Sequence, residues 1–312
     1  MLRLPALLTA LALTAAACGN GGKGRDGAIG GGTTTTTGAS ATTTTTVAAG
    51  GAQVLETFES AGTRLEVTSV ATGLDTVWSL AWAPDGRLWF TERGGRLTRL
   101  GEAPETLRGV EESGEAGLMG LEIDGQGRRF VMYTGSSDNR VVELRRDGSQ
   151  RVLVDGIAKA DIHDGGRLRL GDDGALYAST GDAGNTGLAQ RRDSLNGKVL
   201  RIDPDSGAST VFSRGHRNVQ GLCVAGDGRL LATEHGPAEG DEINVISQGF
   251  NGGWPDRVGN GISNYTPTIA PAGCAVYRAD LIRAWKGSML FVTLKDANLH
   301  RLSFGPGGSV TG

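Results

Sequence analysis

The chain has 312 residues, of which 31 are Lys or Arg and 34 are Asp or Glu, giving a formal net charge of -3. This balance argues against a nucleic-acid-binding protein, since such proteins usually carry a clustered basic excess. Glycine accounts for 52 residues, well above ordinary usage, and it lacks the three-residue period of collagen. With 3 cysteines the chain is not a disulfide-rich scaffold, and its length allows a large buried core.

The first 17 residues are typical of a signal peptide for export. Arg3 precedes an apolar stretch from Leu4 to Leu13, and small residues follow. The stretch is shorter than the roughly 20 apolar residues that span a membrane. Cys18 comes directly after it, as in a bacterial lipobox, where the cysteine receives lipid and becomes the mature N-terminus. Ordinary cleavage nearby, with an incidental cysteine, is the alternative. We expect an exported protein at the cell surface or in the periplasm, anchored to a bacterial membrane through Cys18.

Residues 19–52 consist mainly of glycine, threonine and alanine. Such a segment cannot bury enough apolar surface to offset the entropy of ordering, so we predict a flexible tether. The predicted organisation is a signal peptide (1–17), an anchor cysteine with its linker (18–52), and a β domain (53–312) that is incomplete at its C-terminal end.

From Gln53 onward, short apolar runs alternate with Asp-Gly turns. The clearest turn is Pro84-Asp85-Gly86, where proline fixes φ and the next two residues tolerate the dihedral angles of a hairpin. The periodicity is mostly two, and no convincing helix is predicted. Repeated units of three or four antiparallel strands predict an all-β fold of the β-propeller type. Five units are predicted, over residues 79–100, 118–144, 166–202, 221–246 and 274–304.

Three segments carry polar residues that are too specific for ordinary turns. The first is His-Asp-Gly-Gly-Arg-Leu from His163, with Thr-Gly-Asp ending at Asp182. The second is Gly-His-Arg-Asn-Val-Gln-Gly from Gly215. The third is Glu-His-Gly-Pro-Ala-Glu-Gly-Asp-Glu-Ile-Asn from Glu234, followed by Asn-Gly-Gly-Trp-Pro from Asn251. Each lies in a predicted loop or at a strand end, where a rigid scaffold can present functional groups.

Together with Thr293-Leu294-Lys295, these motifs resemble the soluble quinoprotein glucose dehydrogenases and aldose sugar dehydrogenases, the glucose/sorbosone dehydrogenase family. The resemblance covers about residues 60–305, in the expected order. It implies a six-bladed β-propeller of four-stranded antiparallel blades. It also implies an enzyme that oxidises the C1 hydroxyl of an aldose sugar to the lactone, with pyrroloquinoline quinone and Ca²⁺ as cofactors and an external electron acceptor.

The resemblance also assigns roles around the quinone. His163 matches the general base and Asp182 the carboxylate that orients it. Arg217 matches the cation that stabilises charge on the quinone oxygen. Asn218 and Lys295 match groups that hydrogen-bond the cofactor. Without the motifs, a loop histidine or a surface arginine would be the ordinary interpretation of these residues.

Four residues are assigned to metal binding. Gly236 and Pro237 match the pair whose backbone carbonyls hold the catalytic calcium, a cation that prefers six to eight oxygen ligands and acts as a Lewis acid. Asp241 and Glu242 match positions near a further calcium site in some relatives; otherwise they are a turn and a strand edge.

Two residues are assigned to the sugar. Trp254 belongs to the Gly-Trp-Pro motif, and Glu115 stands where relatives carry a glutamine that contacts sugar. The change from amide to carboxylate leaves the sugar preference open. Ile162 stands where glucose-oxidising relatives have an acid that helps hold substrate, which points to the aldose type with broader or unknown specificity.

The sixth blade has no complete counterpart in the sequence. The run Arg64–Ala71 could supply one of its strands, and the family continues past Lys295 with a further blade, whereas this chain ends at Gly312. We therefore expect either a fragment or an open ring with an exposed strand edge.

Other functions compete with the enzyme. A catalytically inactive cell-surface propeller could serve as a binding module. A calcium-dependent lactone hydrolase would need a carboxylate-rich metal centre that the motifs do not supply. The particular sugar, the electron acceptor and the oligomeric state have no signature in the sequence.

Cys223 and Cys274 form an even pair once Cys18 is set aside. In an exported protein such a pair fits one disulfide bridge between neighbouring blades. Two buried free thiols are the alternative, since free cysteine is among the most buried residue types.

Overall fold

The computed structural model describes residues 46–47, 54–60, 62–305 and 308–311, so the predicted signal peptide, Cys18 and most of the predicted linker lie outside the described residues. The described secondary structure is almost entirely β. The strands are β1 Thr46–Val47, β2 Val54–Ser60, β3 Thr63–Thr68, β4 Ala71–Thr72, β5 Val77–Trp82, β6 Leu88–Glu92, β7 Arg96–Arg99, β8 Glu105–Thr106, β9 Leu118–Ile123, β10 Arg129–Thr134, β11 Asn139–Leu144, β12 Gln150–Ile157, β13 Leu168–Leu170, β14 Leu176–Ser179, β15 Lys198–Ile202, β16 Ser209–Arg214, β17 Val219–Val224, β18 Leu230–Glu234, β19 Asp241–Ile246, β20 Ser263–Tyr265, β21 Pro271–Val276, β22 Met289–Thr293 and β23 Leu299–Leu302.

The helical elements of the described residues are two short 3₁₀ segments, Thr186–Leu188 and Arg283–Trp285. The absence of α-helix predicted from the periodicity therefore holds for this part of the chain. None of its helices has the length and apolar character needed to cross a membrane.

Five antiparallel sheets follow one another along the chain. Four of them have four strands, β5–β8, β9–β12, β13–β16 and β17–β20, and the fifth has three, β21–β23. The first strand of each sheet packs beside the first strand of the next, from β5 to β21. The first strands therefore surround a common centre, which is the arrangement of a β-propeller. The predicted all-β propeller of four-stranded antiparallel blades is confirmed.

The described residues form five blades, which matches the five predicted units and differs from the six blades that the family resemblance implies. Residues of the run Arg64–Ala71 do form a strand, β3, but it pairs only with β2 in a two-stranded sheet. This hairpin packs on the fifth blade, where Leu65 contacts the cluster around Trp285 and the Trp285 indole donates to the Ser60 hydroxyl at 3.2 Å.

The fourth strands of the four-stranded blades have no counterpart among the predicted apolar runs. β8 is exposed at both of its residues, and β16 is exposed over its first three. Because one side of an outer strand faces solvent, its sequence lacks the apolar run that marks a buried strand.

The core consists of apolar layers, each packed between two successive blades. The side chains of an inner strand pack in the two layers on either side of it. On β9, Leu118 packs against the first blade, whereas its neighbour Met119 packs against the third. Successive side chains of a strand point to opposite faces, so a strand buried on both faces reads as a continuous apolar run. Each such side chain contributes about 1.5 to 3 kcal/mol by burial.

The hairpin turns decide which end of the propeller carries long loops. In the first blade, the Gly86 N–H donates to the Ala83 carbonyl at 2.9 Å, and Gly86 adopts a φ of 78° that favours glycine. These tight turns join the first and second strands of the first four blades. Since the strands are antiparallel, the connections from second to third strand, and from fourth strand to the next blade, emerge together at the opposite end.

The structure links Cys223 on β17 to Cys274 on β21 in a disulfide bridge, with the two Cα atoms 5.8 Å apart. The bridge joins the first strands of the fourth and fifth blades and spans a sequence separation of 51 residues. Of the two alternatives left by the sequence, the structure contains the bridge.

We expect the double variant Cys223→Ala/Cys274→Ala to lose about 4 kcal/mol of unfolding free energy, since the unfolded chain regains the entropy of an open loop. Urea unfolding measures the loss. A reductant should lower the unfolding free energy of the unmodified protein by a similar amount and leave that of the variant unchanged. Equal urea midpoints for the two proteins would contradict a stabilising bridge.

Candidate active site

The predicted site residues gather at the end of the propeller that carries the long connections. Glu115, His163 and Arg217 lie on connections between successive blades. Asp182 and Gly236 lie on connections between the second and third strands of the third and fourth blades. The antiparallel order of the sheets therefore brings these residues to one end.

His163 and Asp182 form the most clearly defined pair. The His163 Nδ1 atom lies 2.7 Å from Asp182 Oδ1, and the His163 side chain is 13% exposed. Because an ionised carboxylate only accepts hydrogen bonds, Nδ1 carries a proton, and in the neutral imidazole Nε2 is then the acceptor. His163 also has a φ of 61°, a left-handed conformation that costs an ordinary residue about 1 to 2 kcal/mol.

Asp182 is fully buried and engages both carboxylate oxygens. Oδ1 also accepts the Gly184 N–H at 2.9 Å, and Oδ2 accepts the Trp254 indole N–H at 2.8 Å. Burial alone would raise the pKa of Asp182, but the hydrogen bonds from His163 and Trp254 outweigh it, so the pKa is lowered. The carboxylate therefore stays ionised while it orients the imidazole.

Glu115 contacts the main chain of the predicted base. Its Oε2 atom accepts the His163 backbone N–H at 3.0 Å, and its own N–H donates to the Asp161 carbonyl at 2.9 Å. The side chain is half-buried beside the site. The sequence assigned Glu115 to the sugar; the structure places it against His163, and sugar contact stays a prediction.

Arg217 is tied to the same cluster through both its backbone and its side chain. Its carbonyl accepts the Asp182 N–H at 2.8 Å, and its N–H donates to Glu234 Oε1 at 2.7 Å. The guanidinium donates to the His235 carbonyl at 3.3 Å and lies 5.5 Å from the Trp254 ring centre. Burial lowers the pKa of Arg217, although Asp182 and the other nearby carboxylates oppose this. A guanidinium nevertheless stays charged at neutral pH.

Asn218 is fully buried next to Arg217. Its carbonyl oxygen accepts the Gly165 N–H at 3.2 Å and the Gln220 amide at 3.3 Å. Its amide nitrogen, Nδ2, is buried without a hydrogen-bond partner. A buried unsatisfied donor is costly, so it is an expected place for a ligand.

The predicted calcium ligands lie on a tight turn after β18. A Cβ at Gly236 would overlap the carbonyls of Glu239 and Gly240, so only glycine fits there. The Gly236 N–H donates to Asp241 Oδ1 at 2.7 Å. Within the described residues, no hydrogen bond is made to the carbonyls of Gly236 or Pro237, which leaves both oxygens available as ligands.

Asp241 and Glu242 accept hydrogen bonds from backbone amides. Asp241 Oδ2 accepts the N–H groups of Ile269 at 2.7 Å and Ala270 at 2.6 Å. Glu242 accepts the N–H groups of two loop residues and the Asn244 amide, and burial raises its pKa. No group of three or more His, Cys, Asp or Glu able to hold a metal occurs in the described residues. A further calcium site at these residues stays a prediction.

Lys295 is exposed on the connection between β22 and β23, and its ammonium group donates to the Thr268 hydroxyl. None of the hydrogen bonds among the described residues joins it to His163, Arg217 or Asn218. Its role at the cofactor stays a prediction.

The sequence prediction gave no role to a buried network behind Arg217. Glu234 Oε2 binds His216 Nδ1 at 2.8 Å and the Asn244 amide at 3.1 Å, and His216 Nε2 lies 2.7 Å from the Ser213 hydroxyl. Glu234 is the first residue of the third motif, so the sequence alone could have singled it out. Its hydrogen-bond partner, the Arg217 N–H, is brought to it only by the fold.

Comparison with known proteins identifies the family. The family described as Glucose / Sorbosone dehydrogenase matches residues 74–312. The chain belongs to the glucose/sorbosone dehydrogenase family. The resemblance found in the motifs is thereby confirmed.

Named relatives of this family member are oxidoreductases. The PQQ-bound form of aldose sugar dehydrogenase from Streptomyces coelicolor superposes with a TM-score of 0.69 at 32% identity, covering 86% of this chain and 84% of that one. Aldose sugar dehydrogenase YliI of Escherichia coli is 27% identical over 74% of this chain and 78% of its own length. Quinoprotein glucose dehydrogenase B of Acinetobacter calcoaceticus is 27% identical over 61% of this chain and 52% of its own length.

We expect Asp182→Asn to remove a pH-dependent part of the stability. Because the folded pKa of Asp182 is lowered, its ionised form stabilises the protein fully above its unfolded pKa of about 3.9. That contribution is lost as the pH falls through the folded pKa. The difference in unfolding free energy between the original protein and the variant should therefore shrink between pH 7 and pH 2.

Urea unfolding across this pH range measures the difference. The matched control is Asp280→Asn, since the Asp280 side chain is 77% exposed and forms only a surface ion pair. A difference for Asp182→Asn that stayed constant with pH would contradict the assignment.

Proposed function

We propose that this protein is an exported quinoprotein that oxidises the C1 hydroxyl of aldose sugars to the lactone, with pyrroloquinoline quinone and Ca²⁺ as cofactors. The observation that carries the proposal is the pairing of His163 with buried Asp182, directly bonded to the Arg217 backbone. Family membership supports the reaction class, since the named relatives are quinoprotein glucose and aldose sugar dehydrogenases.

The residues fit a polyanionic quinone. Such a cofactor needs cationic groups and hydrogen-bond donors that the protein itself leaves unused. Arg217 supplies a partly buried guanidinium, and Asn218 Nδ2 is a buried donor without a partner. Asn218 and Arg217 are adjacent in the chain, so both groups would hold the cofactor at the same connection.

The carbonyls of Gly236 and Pro237 fit a hard cation. Calcium binds backbone carbonyls readily and takes its remaining ligands from other oxygens. When bound, the quinone supplies an acceptor for the hydride from C1, and calcium supplies Lewis acidity.

His163 then acts as the general base. Its Nδ1–H is held by Asp182, so Nε2 takes the proton of the C1 hydroxyl as the C1–H bond breaks and its electron pair leaves as hydride. The ionised Asp182 stabilises the imidazolium that forms, and the Trp254 indole keeps the carboxylate in place. Arg217 places a fixed positive charge where negative charge develops.

The substrate class proposed is the aldoses, without restriction to glucose. Ile162, which precedes the base, is 47% exposed and offers an apolar surface in place of a carboxylate. The electrons would pass to an external acceptor, for which a redox dye can substitute in an assay.

We expect the protein reconstituted with pyrroloquinoline quinone and Ca²⁺ to reduce a dye in the presence of aldoses, and a chelator to abolish the reaction. His163→Ala should lower kcat by about 10² to 10⁴, the usual effect of losing a general base. The assay is dye reduction, with cofactor binding measured separately by calorimetry.

His300→Ala is the matched control, because His300 lies on β23 and binds only Asp296 and aromatic neighbours. A His163→Ala variant with bound cofactor and normal turnover would disprove the base. An original protein that binds aldose but never oxidises it would favour the inactive binding module.

We also propose that lipid on Cys18 anchors the exported protein to a membrane. The support is the apolar stretch of residues 4–13 and the small residues that precede the cysteine. Cys18→Ser should move the protein from the membrane fraction to the soluble fraction and abolish incorporation of labelled fatty acid in the producing bacterium. Equal distribution of the two proteins between the fractions would contradict the anchor.

A further inference from the structure

The backbone of His163 adopts a conformation that its neighbours must enforce. Its φ of 61° lies in the left-handed region that residues other than glycine rarely occupy. Such a conformation persists when the surrounding structure over-determines it, and it occurs frequently at functional sites. The contacts that hold the His163 backbone are therefore a constraint on the direction of its imidazole.

Two loops pack closely against this backbone. In the first loop, Gly181 lies so close that a Cβ there would overlap the His163 carbonyl, and the Ala183 N–H donates to that carbonyl at 3.1 Å. In the second loop, a Cβ at Gly114 would overlap the Asp161 carbonyl. Neither loop can move away without breaking hydrogen bonds.

The second loop fixes His163 through a reciprocal pair of hydrogen bonds. The Glu115 N–H donates to the Asp161 carbonyl at 2.9 Å, and Glu115 Oε2 accepts the His163 N–H at 3.0 Å. The Ser113 hydroxyl adds a third bond, to Asp161 Oδ1, at 2.5 Å. The Glu115 side chain thus accepts its bond from the N–H of the left-handed residue itself.

We propose that Glu115 is a positioning residue that holds the backbone of His163 and thereby directs the imidazole at the substrate. The inference rests on the proposed function for its catalytic meaning. Asp182 fixes the ring through Nδ1, and Glu115 fixes the main chain from which the ring extends. With both restraints present, rotation of the turn cannot carry Nε2 away from the C1 hydroxyl.

Two substitutions separate this role from a direct contact with sugar. Glu115→Gln keeps a carbonyl oxygen that can accept the His163 N–H, whereas Glu115→Leu has similar size and no acceptor. We expect Glu115→Leu in the reconstituted holoenzyme to lower kcat by about tenfold to a hundredfold with KM for the aldose nearly unchanged, since a small misplacement of the base reduces turnover. Glu115→Gln should restore most of the loss.

A second measurement does not depend on activity. Amide hydrogen exchange of the segment 161–165, measured without cofactor or sugar, should be faster at His163 in Glu115→Leu and close to the original rate in Glu115→Gln. The matched control is Glu112→Leu on the same loop, because Glu112 pairs only with Arg93 at the surface. It should change neither kcat nor exchange at His163.

The outcomes are distinct. Unchanged exchange at His163 in Glu115→Leu overturns the proposal, and so does a raised KM at constant kcat, which would assign Glu115 to sugar binding. Equal loss in Glu115→Gln and Glu115→Leu overturns it as well, since charge would then matter and not the acceptor. If the original protein oxidises no aldose, the proposed function fails, while the exchange measurement still decides whether Glu115 holds the backbone.

Discussion

The site depends on the carboxylate of Asp182, a buried charge that three separate loops must satisfy. A buried carboxylate is tolerated only when hydrogen bonds replace its lost hydration. His163, Gly184 and the Trp254 indole supply those bonds, and the Asp182 N–H binds the Arg217 carbonyl. Connections of the third and fourth blades are thereby held at fixed positions around one group.

Acidic residues play a second, recurring part in this site. Three groups assigned to catalysis or metal binding each donate their backbone N–H to a carboxylate: His163 to Glu115, Arg217 to Glu234, and Gly236 to Asp241. A charge-assisted bond of this kind is stronger than one between neutral groups. These carboxylates fix the backbone of His163, Arg217 and Gly236 at the site. The side chains of His163 and Arg217 therefore extend from fixed backbone positions.

Much of the fold is visible in the sequence because strands buried on both faces need continuous apolar runs. β9 matches its predicted run completely, and the turn at Pro84-Asp85-Gly86 forms as expected. The outer strands and the β2–β3 hairpin were not predicted as a unit, because exposed strands such as β8 carry no apolar pattern. The five blades were predicted from the apolar runs, whereas the sixth blade that the family resemblance implies is not formed by the described residues, in which β3 pairs with β2 alone.

The sequence by itself identified most candidate residues of the site. Motifs such as His-Asp-Gly-Gly-Arg-Leu and Glu-His-Gly-Pro make this possible, because they keep several functional side chains close together in the chain. Contacts between distant segments were decided only by the tertiary structure. The bonds from Trp254 to Asp182 and from Glu115 to His163 join residues 72 and 48 positions apart. Such pairs meet because antiparallel blades bring alternate connections to the same end, and no local pattern encodes which of those connections touch.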